Sequence, residues 1–140
     1  MQSKLNPYIS FQGNAREVME FYKSVFGGNL EVTTFKEGGM SPNPANDDKI
    51  MHAMLVAENN ITLMASDMPD TGRMKYQKGT NISISLSGDN EEELTGYFNK
   101  LADGGTIVEP LVKAPWGDTF GMVTDKFEIF WLVNITAKQP

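Results

Sequence analysis

Asn6-Pro7-Tyr8-Ile9-Ser10-Phe11-Gln12-Gly13-Asn14-Ala15-Arg16-Glu17-Val18-Met19-Glu20-Phe21-Tyr22-Lys23-Ser24-Val25-Phe26-Gly27-Gly28 is the stretch that decides the fold. Pro7 to Gln12 is a short apolar run rich in β-formers and reads as a strand. Asn14 follows as an Asx N-cap, with Glu17 at the third helical position, a variant of the capping box. Val18, Phe21, Tyr22 and Val25 then fall at i, i+3, i+4 and i+7, one apolar stripe of a helix. Gly27-Gly28 ends it, because glycine takes a left-handed cap at little cost.

The same plan returns further along. Asn81 to Ser87 alternates strictly, Ile82, Ile84 and Leu86 on one face and Ser83, Ser85 and Ser87 on the other, the pattern of a half-buried strand. Asp89 and Asn90 stand ready to cap a helix whose first turn, Glu91 to Glu93, suits the positive end of the helix dipole. Laying Val18 on Leu94 places Phe21 on Tyr97, Tyr22 on Phe98 and Val25 on Leu101, and Gly104-Gly105 supplies the second stop. Three strand candidates follow each helix: Glu31–Lys36, Ile50–Glu58 and Ile61–Asp67, then Thr106–Leu111, Phe120–Asp125 and Glu128–Ile135. Asn59-Asn60 is the tight turn between two of them. The expected fold is α+β: one domain over 1–140, built from a first βαβββ module at 5–67, a linker at 68–79 and a second module at 80–136. Two segments, Glu37 to Lys49 and Met68 to Gly79, are rich in turn residues.

Composition narrows what such a domain does. In 140 residues there is no cysteine and one histidine, His52, which removes disulfide scaffolds, thiolate metal sites, cysteine nucleophiles and three-His metal sites within a chain. Carboxylate-rich metal sites stay open. At this length roughly two-thirds of the unfolded surface is buried on folding, enough to dispense with staples. Twelve Lys and Arg against eighteen Asp and Glu give a net charge of -6, with no basic stripe, so nucleic acid is not an expected partner. No apolar run approaches a membrane span, and Met1 to Pro7 does not read as a secretory leader. A cytoplasmic location is the resulting expectation.

Several of these segments together resemble one family. Asn6 to Phe11 with Gly13 to Glu17, Glu20-Phe21-Tyr22, Phe26-Gly27-Gly28, His52-Ala53, Leu63 to Asp67, Trp116-Gly117, Phe120-Gly121, Asp125-Lys126-Phe127 and Trp131 to Asn134 are similar to the PhnB-like family. That family, also catalogued as demethylubiquinone methyltransferase-like, belongs to the glyoxalase/bleomycin-resistance/extradiol-dioxygenase superfamily, or vicinal oxygen chelate. The resemblance implies paired βαβββ modules, each curling into a half-barrel sheet with its helix outside, and assembly as a homodimer. No Gly-rich nucleotide loop follows the first strand, which speaks against the methyltransferase label.

In metal enzymes of the superfamily, His, Gln or Glu ligands stand on the first and last strand of each module. Alignment through the helices puts those positions at Pro7, Met64, Ser83 and Leu132, or one residue away at Asn6, Leu63, Ile84 and Trp131 or Val133. Three of the first four carry no oxygen or nitrogen side chain, and a lone serine hydroxyl is a poor ligand. No metal and no cofactor is therefore expected, which leaves Lewis-acid chemistry without an anchor.

By alternation Ile9, Phe11, Thr62, Met64, Ser66, Ser83, Ser85, Phe130, Leu132 and Asn134 should point away from the helices. A cavity between the modules is expected, with Phe11, Met64, Ser83, Ser85, Trp116, Phe120, Leu132 and Asn134 as its ligand-binding residues. The same residues could equally be filled core. His52 is the candidate for proton chemistry, with Asp67 as its possible partner. A plain structural role is the competing reading of both: a hydrogen-bonded strand histidine, and an aspartate bonding nearby backbone at a strand end. Trp116 and Phe120 either close over a flat ligand or anchor a loop or dimer contact. Met51, Met54 and Met64 give an adaptable pocket or fill core gaps. Three functions follow from these residues: a small-molecule binder, a metal-dependent lyase or dioxygenase, and a metal-independent enzyme working through His52.

Overall fold

A computed structural model describes residues 3–39, 43–68 and 75–137. Parts of the two turn-rich segments, residues 40–42 and 69–74, lie outside the described residues. The chain divides into two compact units, Met1–Lys78 and Gly79–Pro140. In the first, β1 (Tyr8–Phe11) leads through α1 (Ala15–Phe26) to β2 (Asn29–Thr34), β3 (Ile50–Val56) and β4 (Thr62–Asp67). In the second, β5 (Ile84–Gly88) leads through α2 (Glu91–Ala102) to β6 (Thr106–Lys113), β7 (Thr119–Thr124) and β8 (Phe130–Ile135). Each unit is a four-stranded mixed sheet, in order β1-β4-β3-β2 and β5-β8-β7-β6. The first strand of each lies parallel to the last and the remaining pairs are antiparallel. This is the βαβββ plan that the repeat predicts. Each helix has only 12 residues, and among the described residues none is long and apolar enough to cross a membrane.

Each helix covers one face of its own sheet. Val18, Met19, Tyr22, Val25 and Phe26 of α1 are buried with Ala53, Leu55, Leu63, Ala65 and Phe11. Ala53 and Ala65 are direct cross-strand partners, and their small side chains leave room for the large ones of the helix. In the second unit Leu94, Phe98 and Leu101 of α2 are buried with Val123, Trp131, Val133 and Ile135. Full burial of such side chains stabilises by roughly 1.5–3 kcal/mol each. The apolar stripes are rotated slightly from their expected centre, since Phe21 and Tyr97 are only half-buried while Ala15, Met19 and Phe26 are buried.

The turns explain where strands end. Asn59 and Asn60 both have positive φ, 60° and 63°, which is the hairpin geometry that twists with its strands. The strand expected from Glu128 begins at Phe130 instead, because Glu128 (φ 68°) belongs to a turn held by Asp125. Asp125 Oδ1 accepts from the backbone N–H groups of Phe127 (2.8 Å) and Ile129 (3.1 Å), and Oδ2 from the Trp131 indole (2.9 Å). β5 starts at Ile84 rather than Asn81, since its ladder with β8 begins at the pair Ile84–Trp131; Ile82 is left 77% exposed. β6 runs past Leu111 to Lys113 as an edge strand with two register shifts, a position where Pro110 forfeits no ladder bond.

The two helices begin differently. Asn90 Oδ1 accepts from the Glu93 N–H (3.0 Å), a local cap on α2. The Asn14 side chain makes no such bond, so the expected capping box on α1 does not form. Asp67, at the end of β4, takes its place. Its Oδ1 accepts from the backbone N–H groups of Gly13 (2.8 Å) and Ala15 (2.9 Å), and its Oδ2 from that of Ile50 (2.9 Å). The second glycine after each helix, Gly28 or Gly105, lies against the carbonyl of Val56 or Thr124, where a Cβ would collide with backbone.

Removing the Asp67 carboxylate leaves three backbone donors without partners. Asp67→Ala is expected to cost about 3–5 kcal/mol. Asp67→Asn should cost less, about 1–3 kcal/mol, because its carbonyl still serves the α1 donors while its amide opposes the Ile50 N–H. Urea denaturation midpoints of the two variants check both values.

Candidate functional site

The face of each sheet turned away from its helix is the surface on which a ligand can be met. In the first unit the register identifies that face. Met54 pairs with Met64, Thr33 with His52, Tyr8 with Met64 and Ser10 with Ser66, so these side chains share it. The alternation in burial along β4, from half-buried Thr62 to buried Leu63 and so on to Asp67, agrees with this assignment. Tyr8 and His52 meet there as tilted rings with centroids 6.0 Å apart.

This register corrects the reading of β1. Ile9 and Phe11 pair with Ala65 and Asp67 and face the helix; Phe11 is 2% exposed. Phe11, a ligand-binding candidate by sequence, is placed in the core. A slip of one residue in phase sends every side chain of a strand to the other face, and a strand of four residues gives little pattern with which to fix the phase. Pro7 lies outside β1, its carbonyl accepting from the Met64 N–H (3.0 Å). Tyr8, not Pro7, is the residue paired with Met64.

Asp67 and His52 are not brought together. Asp67 faces the helix, 1% exposed, with its oxygens on the three backbone donors already described, and His52 faces the opposite side of the sheet. A proton relay between them is ruled out by that geometry.

In the second unit the open face carries Phe120, Met122 and Thr124 of β7, paired in turn with Asn134, Leu132 and Phe130 of β8; Ser85 of β5 pairs with Leu132. Ser83 precedes β5 and has no place in the ladder. On the first and last strands, where the resemblance puts metal ligands, Met64 is paired with Tyr8 rather than Pro7, and Leu132 with Ser85 rather than Ser83. Two hydroxyls, a thioether and a hydrocarbon do not suit a divalent ion that favours imidazole and carboxylate. Among the described residues no three His, Cys, Asp or Glu side chains converge.

A cavity of about 310 Å³ opens on this second face, lined by Thr80, Ser83, Val108, Met122, Val123, Thr124, Phe130 and Trp131. Of the ligand-binding candidates only Ser83 lies on it. Val108, Met122, Thr124 and Phe130 are not among those candidates; the alternation of β7, Phe120-Gly121-Met122-Val123-Thr124, carries the signal for Met122 and Thr124, and that of β8 for Phe130.

Trp116, Phe120 and Asn134 gather at the β6–β7 hairpin. Trp116 is 66% exposed and stands edge-on to Phe120 at 6.2 Å between centroids. The Asn134 amide donates to Asp118 Oδ2 (3.1 Å) and the Ala137 N–H to Asp118 Oδ1 (3.0 Å), tying the hairpin to the end of β8. The Ala137 N–H, and after it the Asn134 amide, hold the Asp118 carboxyl below the ordinary aspartate value of 3.8.

Comparison with known proteins covers nearly the whole chain. The model of the Glyoxalase/Bleomycin resistance protein/Dioxygenase superfamily matches residues 4–133. Protein YjdN of Escherichia coli (strain K12) is 28% identical over 147 residues, spanning 97% of each chain. The crystal structure of protein PA1353 from Pseudomonas aeruginosa superimposes with a TM-score of 0.81 at 40% identity, covering 98% of this chain and 100% of that one. A Bacillus cereus structure described as a putative 3-demethylubiquinone-9 3-methyltransferase, PhnB protein, does so with a TM-score of 0.73 at 25% identity, over 96% and 100% of the two chains. The PhnB-like resemblance read from the sequence stands.

The Asp118 clamp titrates with a definite sign. Its folded pKa is the depressed one, so its contribution is complete above the ordinary aspartate value and is lost as pH falls through the folded value. A carboxyl-carbon NMR titration should place the Asp118 midpoint below 3.8, and Asn134→Ala should move it upward.

Proposed function

Since this chain belongs to the glyoxalase/bleomycin resistance protein/dioxygenase superfamily, we propose that it binds a small organic molecule on an open sheet face without recruiting a divalent metal. The observation that carries this reading is the cavity of about 310 Å³ on the β6–β8 face, an apolar wall with a few hydroxyls and within the size range of small-ligand sites. The donor set at Tyr8, Met64, Ser85 and Leu132 supports the metal-free part of it.

A second reading has its own observation. His52 stands half-buried on an open face, beside the Tyr8 ring and on the same side as Ser10 and Ser66. An imidazole so placed is a candidate general base for a reaction that needs no metal, working without Asp67.

Thermal unfolding in the presence of a broad panel of small metabolites tests the binding reading. A ligand at 100 times its dissociation constant adds about 2.7 kcal/mol, a shift of several degrees for a chain of this size. Met122→Trp, which fills the cavity, should abolish that shift; silence across the panel, or a shift the variant leaves intact, sinks the proposal. For the second reading, His52→Gln should remove any turnover found by about a hundredfold or more. Turnover that survives the substitution assigns the histidine no chemistry.

A further inference from the structure

The wall of the second-unit cavity says more about its ligand than that it is small. The described residues that line it, Thr80, Ser83, Val108, Met122, Val123, Thr124, Phe130 and Trp131, include no ionisable side chain. Trp131 has the wall's one indole N–H, and that donor is already bonded to Asp125 Oδ2. Among the described residues, the side-chain groups that remain for polar recognition are three hydroxyls, on Thr80, Ser83 and Thr124. Each is donor and acceptor at once, and so matches a hydroxyl, carbonyl or amide without demanding charge.

Charged groups near the wall do not alter this. Asp125 follows Thr124 in sequence but is 2% exposed, its oxygens bonded to Phe127, Ile129 and Trp131. Glu109, the register partner of Met122, is exposed to water and does not line the cavity. An anion in the cavity meets no cation among the described residues of the wall, within a chain of net charge -6. A cation there meets no carboxylate. Taking either out of water without a partner is costly, whereas an uncharged group loses little against the hydroxyls.

Building on the binding reading above, we infer that the cavity selects an uncharged, largely apolar molecule with one or two hydrogen-bonding groups, and excludes carboxylates, phosphates and ammonium compounds of the same shape. The volume sets the molecule at the compact end of ligands. Thr124 and Ser83 are its polar contacts, and Met122 and Phe130 its apolar ones.

Three probes of one ring and nearly one size separate the classes: benzyl alcohol, benzoate and benzylammonium. The full chain carries nine methionines, and carbon-13 labelling of their methyl groups, with Met122 assigned through Met122→Leu, reports on the cavity directly. Benzyl alcohol should shift the Met122 methyl saturably, with both ions weaker by about tenfold or more. Thr124→Val should weaken benzyl alcohol by several-fold. Benzoate or benzylammonium matching benzyl alcohol at Met122 overturns the selection against charge and leaves the binding reading standing. No saturable response of Met122 to any of the three overturns the assignment of this cavity. A silent metabolite panel together with that result brings down the binding reading as well.

Discussion

One buried carboxylate organises the first unit. Asp67 sits where β4 ends, yet its bonds go to the turn before α1, to the first residue of that helix and to the first residue of β3. The start of α1, the start of β3 and the end of β4, which the sequence sets far apart, are therefore held together through two oxygen atoms. Backbone donors at a helix start and at a strand start have few other partners, and a carboxylate buried this deeply is tolerable only because those donors surround it. The parallel pairing of β1 with β4 brings the group to that place, since Phe11 and Asp67 are register partners. The helix packs where it does because its first turn is fixed there.

The second unit reaches the same architecture by local means. Asn90 caps α2 from within its own turn, and Asp125 bonds residues two, four and six positions further along the chain. The open faces have diverged as far as the staples have. One presents Tyr8, Ser10, His52, Met54, Met64 and Ser66, the other Phe120, Met122, Leu132 and Phe130, with a cavity against Met122 and Phe130. One fold thus offers two chemically unlike surfaces, which is how a superfold hosts unrelated functions.

Much of the fold was legible because its signals are local and repeated. The helical stripes, the glycine stops and the Asn59-Asn60 turn each depend on a few adjacent residues, and the second copy checks the first. The role of Asp67 was illegible for the opposite reason. Asn14 and Glu17 present a plausible cap, and nothing adjacent shows that a carboxylate 52 residues away will displace it. The phase of β1 failed because four residues under an exposed Tyr8 do not reveal their buried side. The site suffered most from this. Alternation and family position point to Ser83, which lines the cavity, and to Ser85, Leu132 and Met64, which stand on the sheet faces away from the helices, but they also point to Phe11, which the register turns into the core. The cavity wall depends on how β6 and β7 lie beside each other through two irregularities in register, which no pattern in one strand records.

Gly28 and Gly105 set a limit on all this divergence. Between the two units the cap, the buried anion, the core side chains and the open faces all differ, but at both positions the backbone runs so close to a strand carbonyl that no side chain fits. Each glycine stands just before the residue that opens a ladder with that carbonyl's own residue, Asn29 with Val56 and Thr106 with Thr124, so main chain meets main chain where β2 and β6 enter their sheets. A constraint made of backbone does not record which residues fill the core or decorate the far side. Each unit is thereby free to differ in chemistry while its second strand enters the sheet at the same place.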